Sequence, residues 1–290
     1  MSPNLTEWKS TGLEIHLNGS KIFYQKSGKG EVIFCIHGFP TASFDFLPIW
    51  KDLSENFQLI APDLIGLGFS DKPDQPISVA DQADMIESLC LAENISSAHL
   101  LAHDLGDTVA QELLARSLEG KSKVTWKSCV LLNGGLFPET HRPLLIQKLL
   151  ISPIGKWVAK LTRKKTFRKS MNRIFSNSYP PSEELIEDFW YLLNYKDGVR
   201  VLPRLIRYMS ERSAKRSRWV GALQNSTIPI RLINGNQDPV SGLHMAHRYA
   251  ELIPSPDICH LPDAGHYPHV EVPKEVLKHI LGFLNSKKST

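Results

Sequence analysis

Cysteine is scarce in this chain. Four residues in 290, Cys35, Cys90, Cys129 and Cys259, lie far apart, with no CxxC pair and no Cys/His ligand spacing. That excludes a disulfide scaffold and a Cys/His zinc site. Three of the four sit in apolar runs ("VIFCIHG", "SLCLA", "KSCVLL"), where a reduced thiol packs as a small hydrophobe, so the expected compartment is a reducing cytoplasm. Long hydrophobic runs are missing too. No stretch approaches the ~20 apolar residues that span a bilayer, and "MSPNLTEWKS" has neither the basic nor the apolar region of a signal peptide. Internal repeats and low-complexity segments are absent. Thirty-four basic against 30 acidic residues leave a formal charge of +4, too mild to name a partner, and nothing suggests nucleic-acid recognition. What remains is 42 % hydrophobic and 22 % charged, an ordinary globular composition with material for a sizeable core.

The pattern is α/β. "TGLEIHLNGSKIFYQKSG" alternates apolar and polar residues around Asn18-Gly19, a hairpin signal. "EVIFCIHG" (31–38), "FQLIAPDLIG" (57–66), "AHLLAHD" (98–104), "KSCVLLNGG" (127–135), "IPIRLING" (228–235) and "DICHLPDAGH" (257–266) read as short strands of a mainly parallel sheet. Helical spacing over 79–94, 108–120 and 274–286 places helices beside that sheet. Between residues 134 and 219 the strand pattern stops. That stretch is helical in tendency and punctuated by prolines. It predicts an inserted helical lid over the sheet's carboxyl edge, carried by a core of residues 1–133 and 220–290. Two parts of it are basic: 156–173 contains no acid, and 200–218 contains only Glu211. The expected reading is a solvated helix face, with contact to an anionic membrane surface or acidic substrate as the alternative.

One acid stands out. "Ala102-His103-Asp104-Leu105-Gly106" has the form small-x-nucleophile-x-small at a strand-to-helix corner, with aspartate at the tip. A carboxylate is ionised at neutral pH and attacks sp³ carbon without a base to activate it. Asp107, just before "TVAQELL", is the expected helix cap, which frees Asp104 for chemistry. A base is needed to hydrolyse the resulting ester. His266, after Ala264-Gly265 and the last strand, is the candidate, with Asp238 in "NGNQDPV" as its orienting acid. Asp238 before proline has the alternative of an ordinary turn residue. Backbone N–H groups of Phe39 and Leu105 are the candidate oxyanion donors, while His37 is read as structural.

With those residues in place, "HGFPTASFDF", "APDLIGLGFSDKP", "AHDLGDTVAQELL", "NGNQDPV" and "GHYPHVEVP" together resemble the α/β-hydrolase superfamily. Within it they resemble the aspartate-nucleophile branch of epoxide hydrolases and haloalkane dehalogenases. "NGGLFPETHRPLLIQKLL" (133–150) and "RSRWVGALQNSTIPI" (216–230) are similar to mesoderm-specific transcript-like hydrolases. The resemblance implies an α/β-hydrolase fold, Asp104 as nucleophile, and a small apolar substrate with an electrophilic carbon. Dehalogenases usually carry tryptophan after the nucleophile and often asparagine in the oxyanion turn; here those positions are Leu105 and Phe39. The HGxP form of residues 37–40 favours epoxide hydrolases, which use lid tyrosines to protonate the epoxide oxygen. Tyr179, Tyr191, Tyr195 and Tyr208 are the lid's tyrosines, with Tyr208 the candidate donor. No metal or cofactor is expected, and the oligomeric state is left open. Carbon–halogen hydrolysis and a non-catalytic binding scaffold are the alternatives.

Overall fold

The computed structural model describes residues 1–286. Eight strands form one sheet: β1 (Leu13–Leu17), β2 (Ser20–Ser27), β3 (Val32–Ile36), β4 (Gln58–Pro62), β5 (Ser97–His103), β6 (Thr125–Leu132), β7 (Ile230–Gly235) and β8 (Asp257–Leu261). Their order across the sheet is β1-β2-β4-β3-β5-β6-β7-β8. The first two strands pair antiparallel around Asn18-Gly19, and β2 joins β4 antiparallel; every later pairing is parallel. The central strands alternate between faces. Phe34, Ile36, Leu100 and Ala102 enter one core, while Ile33, Cys35 and Leu101 enter the other. Both faces are therefore covered, as the near-continuous apolar runs require. Each such fully buried Leu, Ile or Phe side chain contributes roughly 1.5–3 kcal/mol through removal from water.

Helices cover the two faces. In chain order they are α1 (Pro3–Thr11), α2 (Leu47–Ser54), α3 (Val79–Ala92) and α4 (Leu105–Leu118). Seven more lie between β6 and β7: α5 (Leu145–Ile151), α6 (Gly155–Leu161), α7 (Lys164–Ile174), α8 (Glu183–Asn194), α9 (Leu202–Leu205), α10 (Tyr208–Ala214) and α11 (Arg216–Gln224). Then come α12 (Leu243–Leu252), α13 (Pro268–Glu271) and α14 (Pro273–Ser286). Strands and helices fall where the periodicity puts them, but α1, α2, α12 and the short α13 are additional. The α1 segment is mostly polar and buries only Leu5 and Trp8, so it carries no 3.6-residue stripe; Ser2 fixes its start by accepting from the Leu5 N–H. Among the described residues no helix is long and apolar enough to cross a membrane.

One expectation needs correction. α4 starts at Leu105, directly after Asp104, so Asp107 is the third residue of the helix rather than its cap. Asp104 occupies the cap position by backbone alone, and its side chain makes no capping hydrogen bond. The corner can be this abrupt because Gly106 packs onto β3: a β-carbon there would lie 2.1 Å from the Ile36 carbonyl oxygen. Gly221, inside α11, has nothing within 4 Å of the same point. The two glycines should therefore respond oppositely to one added methyl group. Gly106→Ala is expected to cost about 3 kcal/mol, and Gly221→Ala to add about 0.5–1 kcal/mol. Urea-unfolding midpoints of the two variants check both signs.

Candidate active site

The carboxyl ends of β3, β5, β7 and β8 converge, and each delivers one part of the site. Asp104 follows β5 with φ +50° and ψ −103°, a left-handed backbone that a non-glycine residue adopts only under constraint. Its N–H donates to the Leu132 carbonyl at 3.3 Å, tying the tip to β6. The Phe39 N–H, just beyond β3, donates to Asp104 Oδ2 at 2.9 Å. Leu105 is the buried first residue of α4, adjacent to the same carboxylate. The predicted donor pair thus brackets Asp104, with one member hydrogen-bonded to it.

Asp238 and His266 also meet. His266 Nδ1 lies 2.7 Å from Asp238 Oδ2, both side chains being buried. Asp238 is no simple turn residue. Its Oδ2 also accepts from the Ser241 hydroxyl at 2.7 Å and from Asn133 Nδ2 at 3.2 Å, and its Oδ1 accepts from the Val240 N–H at 2.7 Å. Nδ1–H facing Asp238 leaves Nε2 as the nitrogen turned away from that carboxylate. Two buried groups fix the loop that carries His266. Glu271 accepts from the N–H groups of Gly265 (2.8 Å), Tyr267 (3.0 Å) and Ser176 (2.9 Å). His103 Nε2 lies 2.8 Å from the His266 carbonyl and donates to it. His37 is structural as read: its Nε2 accepts from the Leu64 N–H at 2.9 Å, and its Nδ1 faces the Gly38 carbonyl at 2.8 Å.

The residue missed from sequence is Arg212, from α10. It is 2 % exposed. Its Nε donates to the Thr108 hydroxyl at 2.7 Å, and its Nη2 donates to the Asp104 carbonyl at 3.1 Å and lies 3.9 Å from Asp104 Oδ1. The guanidinium carbon sits 4.7 Å over the Tyr208 ring, which in turn lies 6.0 Å from the Phe39 ring. Tyr208 is buried beside Asp104, and its hydroxyl has no partner among the described residues. Tyr179 is exposed instead, and Tyr195 packs on Phe69. In sequence Arg212 is one of seven basic residues between 200 and 218, and nothing local separates it from its exposed neighbours.

Charge balance follows from this arrangement. Burial pushes the Asp104 carboxyl upward, but the charges of His266 and then Arg212 outweigh it and hold the group below its ordinary value. At Asp107 the balance goes the other way: burial and the Asp104 charge outweigh Arg212 and raise its carboxyl well above the usual range. Burial pushes His266 down, yet the Asp238 charge and hydrogen bond, followed by the Asp104 charge, bring it up to about 9. A second buried group, Asp45, His103 and His269, brings one ligand-type atom from each residue within 4.8 Å of the others. Burial drives Asp45 up and both histidines down. Asp45 already accepts from the Thr41 hydroxyl, and His103 Nε2 is engaged with the His266 carbonyl.

Above the site lies an apolar cavity of about 70 Å³. Phe39, Val240 and His266 line it from the sheet side, and Leu150, Phe167 and Met171 from the inserted helices. A histidine whose folded value is raised contributes stability that is complete below pH 6.5 and is lost as pH rises through about 9. Wild-type stability relative to His266→Gln is therefore expected to fall by on the order of 2–3 kcal/mol across that window. Unfolding midpoints of the two proteins at both ends of the window measure it.

Comparison with known proteins agrees with this architecture. The family described as the alpha/beta hydrolase fold matches residues 31–273. The human mesoderm-specific transcript homolog protein is 40 % identical over 302 residues, covering 99 % of this chain and 89 % of that protein. Among solved structures, the epoxide hydrolase CorEH superposes with a TM-score of 0.78 at 19 % identity, covering 95 % of this chain and 99 % of that one. A haloalkane dehalogenase DbeA loop variant from Bradyrhizobium elkanii gives 0.80 at 21 %, covering 96 % and 97 %. Those two likenesses speak for the fold alone. With strand order, elbow and family match in agreement, the chain belongs to the alpha/beta hydrolase fold family.

Proposed function

We propose that this hydrolase works through a covalent ester on Asp104 and opens epoxides to diols. The observation that carries the reading is the state of Asp104. It is a buried carboxylate on a strained corner with no capping role, held ionised between the Phe39 N–H, His266 and Arg212. In the first step an Asp104 oxygen attacks an epoxide carbon and a C–O bond forms. The ring C–O bond breaks, and its electron pair goes to the ring oxygen. Tyr208 supplies the proton to that oxygen, its hydroxyl being buried near Asp104 and unengaged among the described residues.

The second step depends on charge lost in the first. Esterified Asp104 no longer carries the negative charge that helps raise His266, so the imidazole becomes easier to deprotonate and acts as a base. His266, oriented by Asp238, takes a proton from water, and the water oxygen adds to the ester carbonyl. The Phe39 and Leu105 N–H groups hold the resulting oxyanion. Collapse breaks the ester C–O bond as His266 returns its proton to the departing alkoxide, and the remaining proton of the added water passes back to Tyr208, so the diol leaves and Asp104 is a carboxylate again. No cofactor enters the scheme. Residues 134–219 act as a cap over the site. Leu150, Phe167 and Met171 of the inserted helices border the cavity beneath, so α5–α7 govern how a substrate enters. An apolar lining suits a small apolar electrophile.

Leu105 and Phe39, at positions where dehalogenases usually hold the halide, turn the reading toward epoxides. His266→Gln should block the second step while sparing the first. Incubated with a panel of epoxides and alkyl halides, that variant is expected to gain the mass of an epoxide by intact-mass measurement, and Asp104→Asn is expected to gain none. Adducts with halides alone would move the assignment to carbon–halogen hydrolysis. A folded variant that takes up nothing would contradict the covalent scheme and point to a binding scaffold.

A further inference from the structure

The lid's outer surface carries a feature the chemistry does not use. Leu145 (67 %), Ile154 (53 %), Trp157 (67 %) and Leu161 (70 %) are exposed along α5, α6 and the turn between them. Apart from Lys160, whose Nζ lies 5.3 Å from the Trp157 ring, these large apolar side chains stay exposed, and all four fall on one short segment, the apolar edge of the lid. Scattered exposed hydrophobics are ordinary; four within 17 residues, one of them tryptophan, are not.

Charge surrounds that edge. Residues 156–173 hold eight Lys or Arg and no acid. Lys164 and Arg168 are neutralised by Glu183 and Glu187 of α8. Among the described residues Lys156, Lys160, Arg163, Lys165, Lys169 and Arg173 form no ion pair. Next to the apolar edge, a cleft of about 410 Å³ opens between α6 and α9. It is lined by Lys156, Lys160, Arg200, Arg204 and Arg207. Arg200 and Arg204 share Asp74, and Lys160 lies 5.3 Å from the Trp157 ring, so among the described residues Lys156, Lys160 and Arg207 carry the cleft's charge without an acidic partner. A solvated helix face needs neither an exposed tryptophan nor a cleft with five cations around it.

We infer that this face docks on an anionic lipid surface, with Trp157 and Leu161 entering the interface while the cationic cleft receives lipid phosphate. The combination is that of interfacial binding, in which apolar insertion and attraction to anionic headgroups act together. Charge complementarity selects the occupant: a second copy of a chain with net charge +4 would bring its own cations to the cleft. Position gives the docking a use. α5 and α7 border the cavity above His266 and also form a shallow apolar groove on the outer surface, sharing Leu144, Ile146, Thr166 and Ser170 between them. An apolar molecule dissolved in the lipid would therefore meet the lid at its point of entry. Docking itself does not depend on what the site hydrolyses.

Vesicle flotation tests this directly. The full chain is expected to float with phosphatidylcholine vesicles that contain phosphatidylserine, to stay behind with phosphatidylcholine alone, and to be released by high salt. Trp157→Ala/Leu161→Ala should weaken binding about tenfold or more. Lys156→Glu/Lys160→Glu should do the same, each cation near an anionic surface being worth roughly fivefold. All four positions are exposed, so circular dichroism of the variants should match wild type. Failure to bind phosphatidylserine vesicles, or binding that both double variants leave intact, would overturn the inference. So would concentration-dependent self-association, by sedimentation, that Trp157→Ala/Leu161→Ala abolishes without any vesicle binding in wild type, because the edge would then belong to a second copy.

Discussion

Four charges confined to one buried pocket organise the centre of this molecule. Asp104 and Asp238 are two buried carboxylates, and His266 and Arg212 are the two cations that make their burial tolerable. An isolated buried charge costs several kcal/mol, so removing any one of the four leaves another uncompensated. Asp107 shows the limit of the balance: for this buried carboxyl one helical turn away, burial and the Asp104 charge outweigh Arg212 and raise it well above the usual range. The hydrogen bonds from Asn133, Ser241 and the Val240 N–H to Asp238, and those from three backbone N–H groups to Glu271, extend the same requirement outward.

The balance explains why the inserted helices belong to the site as well as covering it. Arg212 comes from α10 and reaches across to Thr108 and the main chain of Asp104, while Tyr208 of the same helix lies beneath its guanidinium. Displacing α10 would remove a positive charge from beside Asp104. On the other side of the insertion, basic residues point to solvent around an apolar edge. One segment thus carries a neutralising charge inward and a cationic face outward, which its composition alone cannot separate.

Much of this was legible in the chain. Buried parallel strands announce themselves as continuous apolar runs, and the elbow as small residues around an aspartate, because both demands are local. Asp238 and His266 were readable from their order after the last two strands. Asp107 was misread because a cap normally precedes the first periodic residue, whereas this corner starts its helix immediately after Asp104. The α1 helix was invisible for want of an apolar stripe. Arg212 and Glu271 could not be singled out, since their roles come from contacts across 108 residues in one case and from a tight loop in the other.

The account stands on Asp104 forming a bond to the substrate, and the fate of one oxygen atom tests that most directly. In a single turnover with enzyme in excess, run in oxygen-18 water on an epoxide that the enzyme consumes, the new hydroxyl should carry ordinary oxygen from Asp104. The heavy isotope should then appear in the peptide containing Asp104. Heavy oxygen in the product of that first turnover, with none in the peptide, would mean that water attacks the substrate directly and would contradict the account.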